Sequence, residues 1–188
     1  MPHSSRTPEN EGAAPRAAGI EGCLPSSTTD ADDAVATMLG RIPSGLFVVT
    51  WREAHTDRGM LASWIMQAGF QPPTITVAVG TSRDLLRALE TEKPFVVNVL
   101  GESQRSLLAR FGRPPGPGED PFAGLAVERT SAGVASIGET MGWLECLPTG
   151  RIEAGDHTVV VARVAAARVG TGAVGGPLVH LRRNGLRY

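Results

Sequence analysis

Two stretches of the 188-residue chain carry side chains whose types and spacing could do chemistry. In the first, GMLASWIMQAGFQPPTITVAVGTSRDLLRALETEKPFVVNVL (residues 59–100), Ala62 and Ser63 sit in a β-rich run, and Ser82 and Arg83 open a helical one. Small side chains let a flat heteroaromatic ring approach the backbone, whose N–H and C=O groups can hydrogen-bond its edge. Ser82, Arg83 and the first N–H groups of the helix can hold a phosphate dianion. The pattern suits a ligand with a flat ring at one end and a phosphate at the other. The second stretch, GRIEAGDHTVVVARV (residues 150–164), reads as two strands over a corner that carries Asp156 and His157. A solvent turn needs only Gly and Asp there, so the ionisable pair calls for a reason. Each feature also has a plainer counterpart. Small strand residues ease packing, a first-turn arginine is a solvated charge, and His157 is the first polar residue of a strand.

The elements that must position these residues are mostly strands. GLFVVTWRE, RGMLASWIMQ, TITVAVG, PFVVNVLG, GLAVERT, GWLECLPTGRIE, HTVVVARVAAARV and GPLVHLRR are β-rich and separated by Gly, Pro and Asp turns. Eight short strands imply a closed or nearly closed antiparallel barrel. Two helical insertions interrupt them. TSRDLLRALETE opens with a Thr81-x-x-Asp84 capping box and aligns Leu85, Leu86 and Leu89, and SQRSLLARF aligns Leu107, Leu108 and Phe111. Both are too short to connect parallel strands throughout, which disfavours a doubly wound α/β sheet. Residues 1–33, rich in Pro, Ser, Ala, Gly and acids, bury too little to offset ordering entropy and read as a disordered tail. From Asp33, DDAVATMLGRI reads as a helix closed by Gly40, so the domain runs over residues 34–188.

Composition narrows the partners. A formal net charge of -1 without a Lys/Arg run gives no field for nucleic acid or an anionic membrane. No segment approaches a membrane span and no signal-peptide core is present, so a cytoplasmic protein is expected. Cys23 and Cys146 form neither a disulfide framework nor a metal-ligand spacing. The Gly-x-Gly-x-x-Gly match GTGAVG (residues 170–175) is followed by Gly176, Pro177 and another strand, with no later Asp or Glu. A dinucleotide fingerprint needs a helix there and an acid beyond it, so a hairpin loop is expected instead.

In order along the chain, GRIPSGLFVVT, GMLASWIMQAGFQPPTITVAVG, FVVNVL, ARFGRPPGPGEDPFAG, WLEC and GDHTVVVARV resemble the flavin reductase-like family of FMN-binding split barrels. Within it the pattern is similar to the C-terminal flavin reductase module of the longer flavodiiron proteins. The resemblance covers the chain from about Met38 onward. It implies a Greek-key split β-barrel that forms a homodimer, holds FMN or alternatively FAD, and reduces it with NADH or NADPH by hydride transfer to flavin N5. Position by position, Ala62, Ser63 and Trp64 would line the isoalloxazine edge, and Ser82 and Arg83 would hold the phosphate. Ser44–Gly45 and Phe111 would be wall elements. Trp64 stands where many relatives have a second Ser or Thr, and Gly69 where many have Ser; Trp64 matches the flavodiiron-type subgroup, and a core or dimer-interface role is its other reading. The Gly-Asp-His turn would stand at the mouth of the site, with His157 touching the nicotinamide nucleotide. That turn speaks against an oxidase of the pyridoxamine phosphate type.

The implied chemistry is alignment of two rings rather than acid/base catalysis. With Arg83 as the one evident phosphate-binding cation, reduced flavin would leave by diffusion to a separate monooxygenase or other acceptor. The alternatives are a non-catalytic flavin-binding barrel, or a bound-FMN electron-transfer module for a docked diiron partner.

Overall fold

The computed structural model describes residues 28–171 and 174–186. In chain order the elements are α1 (Thr28–Gly40), β1 (Ser44–Gly45), β2 (Phe47–Glu53), β3 (Thr56–Ala62), β4 (Ile65–Phe70), β5 (Pro73–Gly80) and α2 (Asp84–Glu90). There follow β6 (Phe95–Val99), a 3-10 turn (Glu102–Gln104), α3 (Ser106–Phe111), β7 (Val127–Arg129), β8 (Ala135–Ile137), β9 (Gly142–Ala154), β10 (His157–Val169) and β11 (Val179–His180).

Seven strands form one antiparallel sheet in the order β3-β2-β6-β9-β10-β5-β4. Its two edge strands are consecutive in the chain. Ala62, the last partner of β2, is followed after only Ser63 and Trp64 by Ile65, the first partner of β5. Three residues of chain span at most roughly 10 Å, so the sheet must curl until its edges meet at one corner. The result is an antiparallel Greek-key barrel split along the β3–β4 seam, as expected from the strand pattern.

At β2 and β6 the sheet is buried on both faces, which explains why Phe47, Val48, Val49 and Trp51 do not alternate with exposed polar residues. Val49, Trp51, Val77, Phe95 and Val97 pack inside the barrel with Leu85, Leu86 and Leu89 of α2. Val48 points the other way, against Leu107 and Phe111 of α3 and Ala135 and Ile137 of β8. Cys146 is buried in the barrel, and that burial, with the Glu145 charge beside it, pushes its thiol pKa up to about 12. Cys23 lies outside the described residues.

Several expectations need correction. RGMLASWIMQ is not one strand but β3 and β4, and β8 is an additional strand that the pattern does not announce. The helix expected from Asp33 begins at Thr28. Residues 1–27 of the expected tail lie outside the described residues, as do residues 172 and 173 of the GTGAVG loop. The Thr81/Asp84 capping box does not form: Arg83 is the N-cap of α2, without a side-chain cap bond, because the Thr81 N–H is taken by the Asp156 carbonyl (3.0 Å).

Candidate functional site

The curl that closes the barrel exposes the backbone corner at Ser63 and Trp64, and a cavity of about 590 Å³ opens there. Its walls are Met60–Trp64 at the end of β3, Ala78–Gly80 at the end of β5, Arg83, and the C-terminal residues His180–Asn184. Ala62, Ser63, Trp64 and Arg83 therefore meet on one cavity, as the sequence leads one to expect. Ser82 and Phe111 do not join them. Both line a neighbouring cavity of about 400 Å³, with Arg83, Met60 and Gly112 shared between the two. Ser44–Gly45 pairs with β11 instead of lining the cavity, and the adjacent Leu46 takes that place.

His157 lines neither cavity. It is the first residue of β10, paired with both Ala154 and Gly80, and only 8 % exposed. Its imidazole packs against the Trp64 ring, with centroids 4.8 Å apart, and its Nδ1 lies 2.8 Å from Asp156 Oδ1. The hydrogen bond to His157, and then its charge, hold the Asp156 carboxyl below the usual aspartate range. The contact therefore persists above that range, and its contribution is lost as pH falls through the lowered value. His157 meets the cavity wall at Trp64 through its ring and at Gly80 through strand pairing.

The sequence reading missed the C-terminal wall. Arg182 donates from Nη2 to Ser63 Oγ at 2.7 Å, and its guanidinium lies 4.5 Å from the Trp64 ring centroid, a cation–π contact. With Arg183 it brings the cavity's arginines to three, so the expectation of Arg83 as the one evident cation is corrected. The available signal was the basic pair in VHLRRN immediately after a strand. Nothing local to that pair reveals that it returns to a serine 119 positions earlier.

This wall is seated on α1. The Arg182 N–H bonds the Gly40 carbonyl (3.0 Å) and the Gly185 N–H bonds the Ala36 carbonyl (2.7 Å). The approach is close enough that a Cβ on Gly185 would lie 2.3 Å from Leu39 Cβ and 2.6 Å from the Gly40 nitrogen. Gly185→Ala should therefore cost about 1–3 kcal/mol through overpacking, a fall of roughly 2–12 °C in Tm for a chain of this size. Gly176, where a Cβ would meet nothing within 4 Å, is the control: Gly176→Ala should melt like the parent. Equal melting of both variants would dissociate the wall from α1.

Residues 39–186 match the family described as flavin reductase like domain, and the chain belongs to that family. Diflavin flavoprotein A 1 of Synechocystis sp. (strain ATCC 27184 / PCC 6803 / Kazusa) is 35% identical over 158 residues, 84% of this chain and 27% of that protein. The chain thus spans about a quarter of the length of the curated relatives it matches. Nitrilotriacetate monooxygenase component B from Mycobacterium thermoresistibile superposes with a TM-score of 0.73 at 22% identity, over 82% of this chain and 85% of that one. The NADH:FAD oxidoreductase of Streptomyces globisporus C-1027 gives 0.71 at 24% identity, over 85% and 93%. At these identities the likeness establishes the fold.

Proposed function

We propose that the chain is an NAD(P)H-dependent flavin reductase, with FMN as the favoured flavin and FAD as the alternative. The observation that carries this reading is the cavity at the split seam. Its volume lies within the range of about 300–1,000 Å³ typical of small-molecule sites. It combines a small-residue backbone corner for a ring edge with three arginines whose charge favours an anionic ligand. Family membership supports the same conclusion.

In this reading Ala62, Ser63 and Trp64 take the ring edge, flanked by Arg182, and Arg83 holds the phosphate, with Arg183 adding positive charge to the cavity. A bound flavin supplies a ring that accepts two electrons from a reduced nicotinamide. The protein's part is to align the two rings and exclude water. Ser63, its oxygen already accepting from Arg182, keeps its hydroxyl hydrogen for donation into the cavity. The test is direct: NADH and NADPH oxidation by the purified protein should rise and saturate with added FMN or FAD. Flavin binding without turnover would select the non-catalytic barrel instead.

A second reading has a specific observation in its favour. Three cavity arginines suit retained FMN better than one does, as a module serving a docked diiron partner would need. Gel filtration separates the two. Flavin lost on the column supports release of reduced flavin to a separate monooxygenase or other acceptor, and stoichiometric flavin supports the docked partner.

His157 is a positioning residue in either case. His157→Ala should raise KM for the nicotinamide nucleotide several-fold with kcat and FMN affinity near the parent's. Steady-state kinetics that instead reveal lost flavin would place the imidazole's effect on the flavin through Trp64.

A further inference from the structure

The two cavities differ in charge. Among the described residues the larger is lined by Arg83, Arg182 and Arg183 and by no Asp or Glu, whereas Asp57, Asp84, Glu119 and Asp120 line the smaller. Arg182 is fastened to the corner at Ser63 and Trp64. Its Nη2 bonds Ser63 Oγ at 2.7 Å, its guanidinium lies 4.5 Å from the Trp64 ring centroid, and its backbone N–H is seated on the Gly40 carbonyl (3.0 Å). A guanidinium does not lose its proton in proteins, so a fixed positive charge stands at that corner.

We propose that Arg182 sets the redox poise of the site: acting through Ser63, it makes the site hold reduced flavin more tightly than oxidised flavin. This rests on the flavin reductase reading of the larger cavity. A reduced nicotinamide gives up a hydride, two electrons and a proton, and leaves oxidised; at neutral pH and above, the ring that receives it carries one more negative charge than before. The phosphate tail is the same in both oxidation states, so Arg83 does not tell them apart. A cation at the ring edge does. Ser63 Oγ accepts from Arg182, which polarises the hydroxyl hydrogen that Ser63 donates into the cavity and makes it a stronger donor to a ring gaining charge. The Arg182–Ser63 contact is partly buried, which limits screening by salt. Because Trp64 and the α1 seat fix the charge beforehand, no reorganisation accompanies reduction.

The experiment is anaerobic titration of the full chain with oxidised FMN and with FMN reduced by dithionite, together with the midpoint potential of the bound flavin. The parent should bind reduced FMN at least tenfold more tightly, which raises the potential above that of free FMN by about 30 mV per tenfold for a two-electron couple. Arg182→Gln should weaken reduced FMN at least tenfold and oxidised FMN less than threefold. Arg182→Lys keeps the charge and should stay within threefold of the parent in both states. Arg83→Ala should weaken both states equally and leave their ratio unchanged. In a double-mutant cycle, Ser63→Ala and Arg182→Gln should be non-additive in that ratio. A parent that binds both states alike, a ratio unmoved by Arg182→Gln or moved as far by Arg83→Ala, or an Arg182→Lys variant that behaves like Arg182→Gln overturns the proposal. An additive cycle overturns the route through Ser63. Failure of oxidised FMN to bind the parent overturns the flavin reading instead.

Discussion

Replacing Arg83 by alanine is expected to weaken FMN binding by about ten- to a hundred-fold. The residue reaches the junction of both cavities from the N-cap of α2. Its backbone bonds, N–H to the Gly80 carbonyl and carbonyl to the Leu86 N–H, are indifferent to the side chain, so α2 should start where it does now. What is lost is a charge-assisted hydrogen bond to phosphate, about 1.5–3 kcal/mol, at about 1.4 kcal/mol per tenfold. Fluorescence titration with FMN and with riboflavin checks both the size and the cause. Riboflavin has no phosphate, so its affinity should not change. An equal loss for both flavins would assign Arg83 to the ring, and an unchanged FMN dissociation constant would remove it from the site.

The largest expected stability effect lies at Asn98, whose side chain is fully buried in β6. Its Nδ2 donates to the Val48 carbonyl (2.9 Å) and reaches Thr50 Oγ1 (3.4 Å), and its Oδ1 accepts from the Ile137 N–H (2.8 Å). One amide thus ties β2, β6 and β8 together. Asn98→Ala removes all three bonds and leaves buried groups without these partners, at about 1–3 kcal/mol for each one stranded. A loss of about 2–4 kcal/mol in total should lower the urea midpoint with an unchanged slope. A loss below about 0.5 kcal/mol, the size of an ordinary surface substitution, would show that β8 is held by apolar packing on Ala135 and Ile137 without Asn98.

Asn98 also marks how far the sequence can be read. PFVVNVLG is recognisably a strand from its β-branched residues, and the barrel follows from many such runs. The polar residue inside it names no partner, and its partner β8 is three residues long, too short for any periodicity. The break between β3 and β4 is hidden for a related reason. Both sides of Ser63–Trp64 favour extended backbone, and the interruption comes from the sheet edges meeting, a tertiary event. The true start of α1 is masked by its polar first residues. Of its described side chains only Ala36 is buried, and contacts from Arg182 and Gly185 hold it in place. In the site, residues close in sequence to the seam are legible, and Ala62, Ser63, Trp64 and Arg83 share a cavity. Ser82 and Phe111 turn toward the smaller cavity, and His157 packs against Trp64 and pairs with Gly80 without lining either cavity. The C-terminal arginines escape notice because their role depends on a long-range return of the chain.

That return brings Arg182 and Gly185 against the C-terminal half of α1, with Gly185 hydrogen-bonded to Ala36. A circular permutant that joins residue 186 to the start of α1 by a linker long enough to run back along that helix, about 12 Å from Ala36 to Thr28, and opens the backbone at the exposed Glu92–Lys93 turn, between α2 and β6, would keep every pairing in the sheet. The same adjacency bears on fusion architecture. A module attached after residue 186 leaves the chain within a few residues of Arg182 and Arg183, beside the cavity's arginine wall, whereas one attached before α1 is set off from it by the length of that helix.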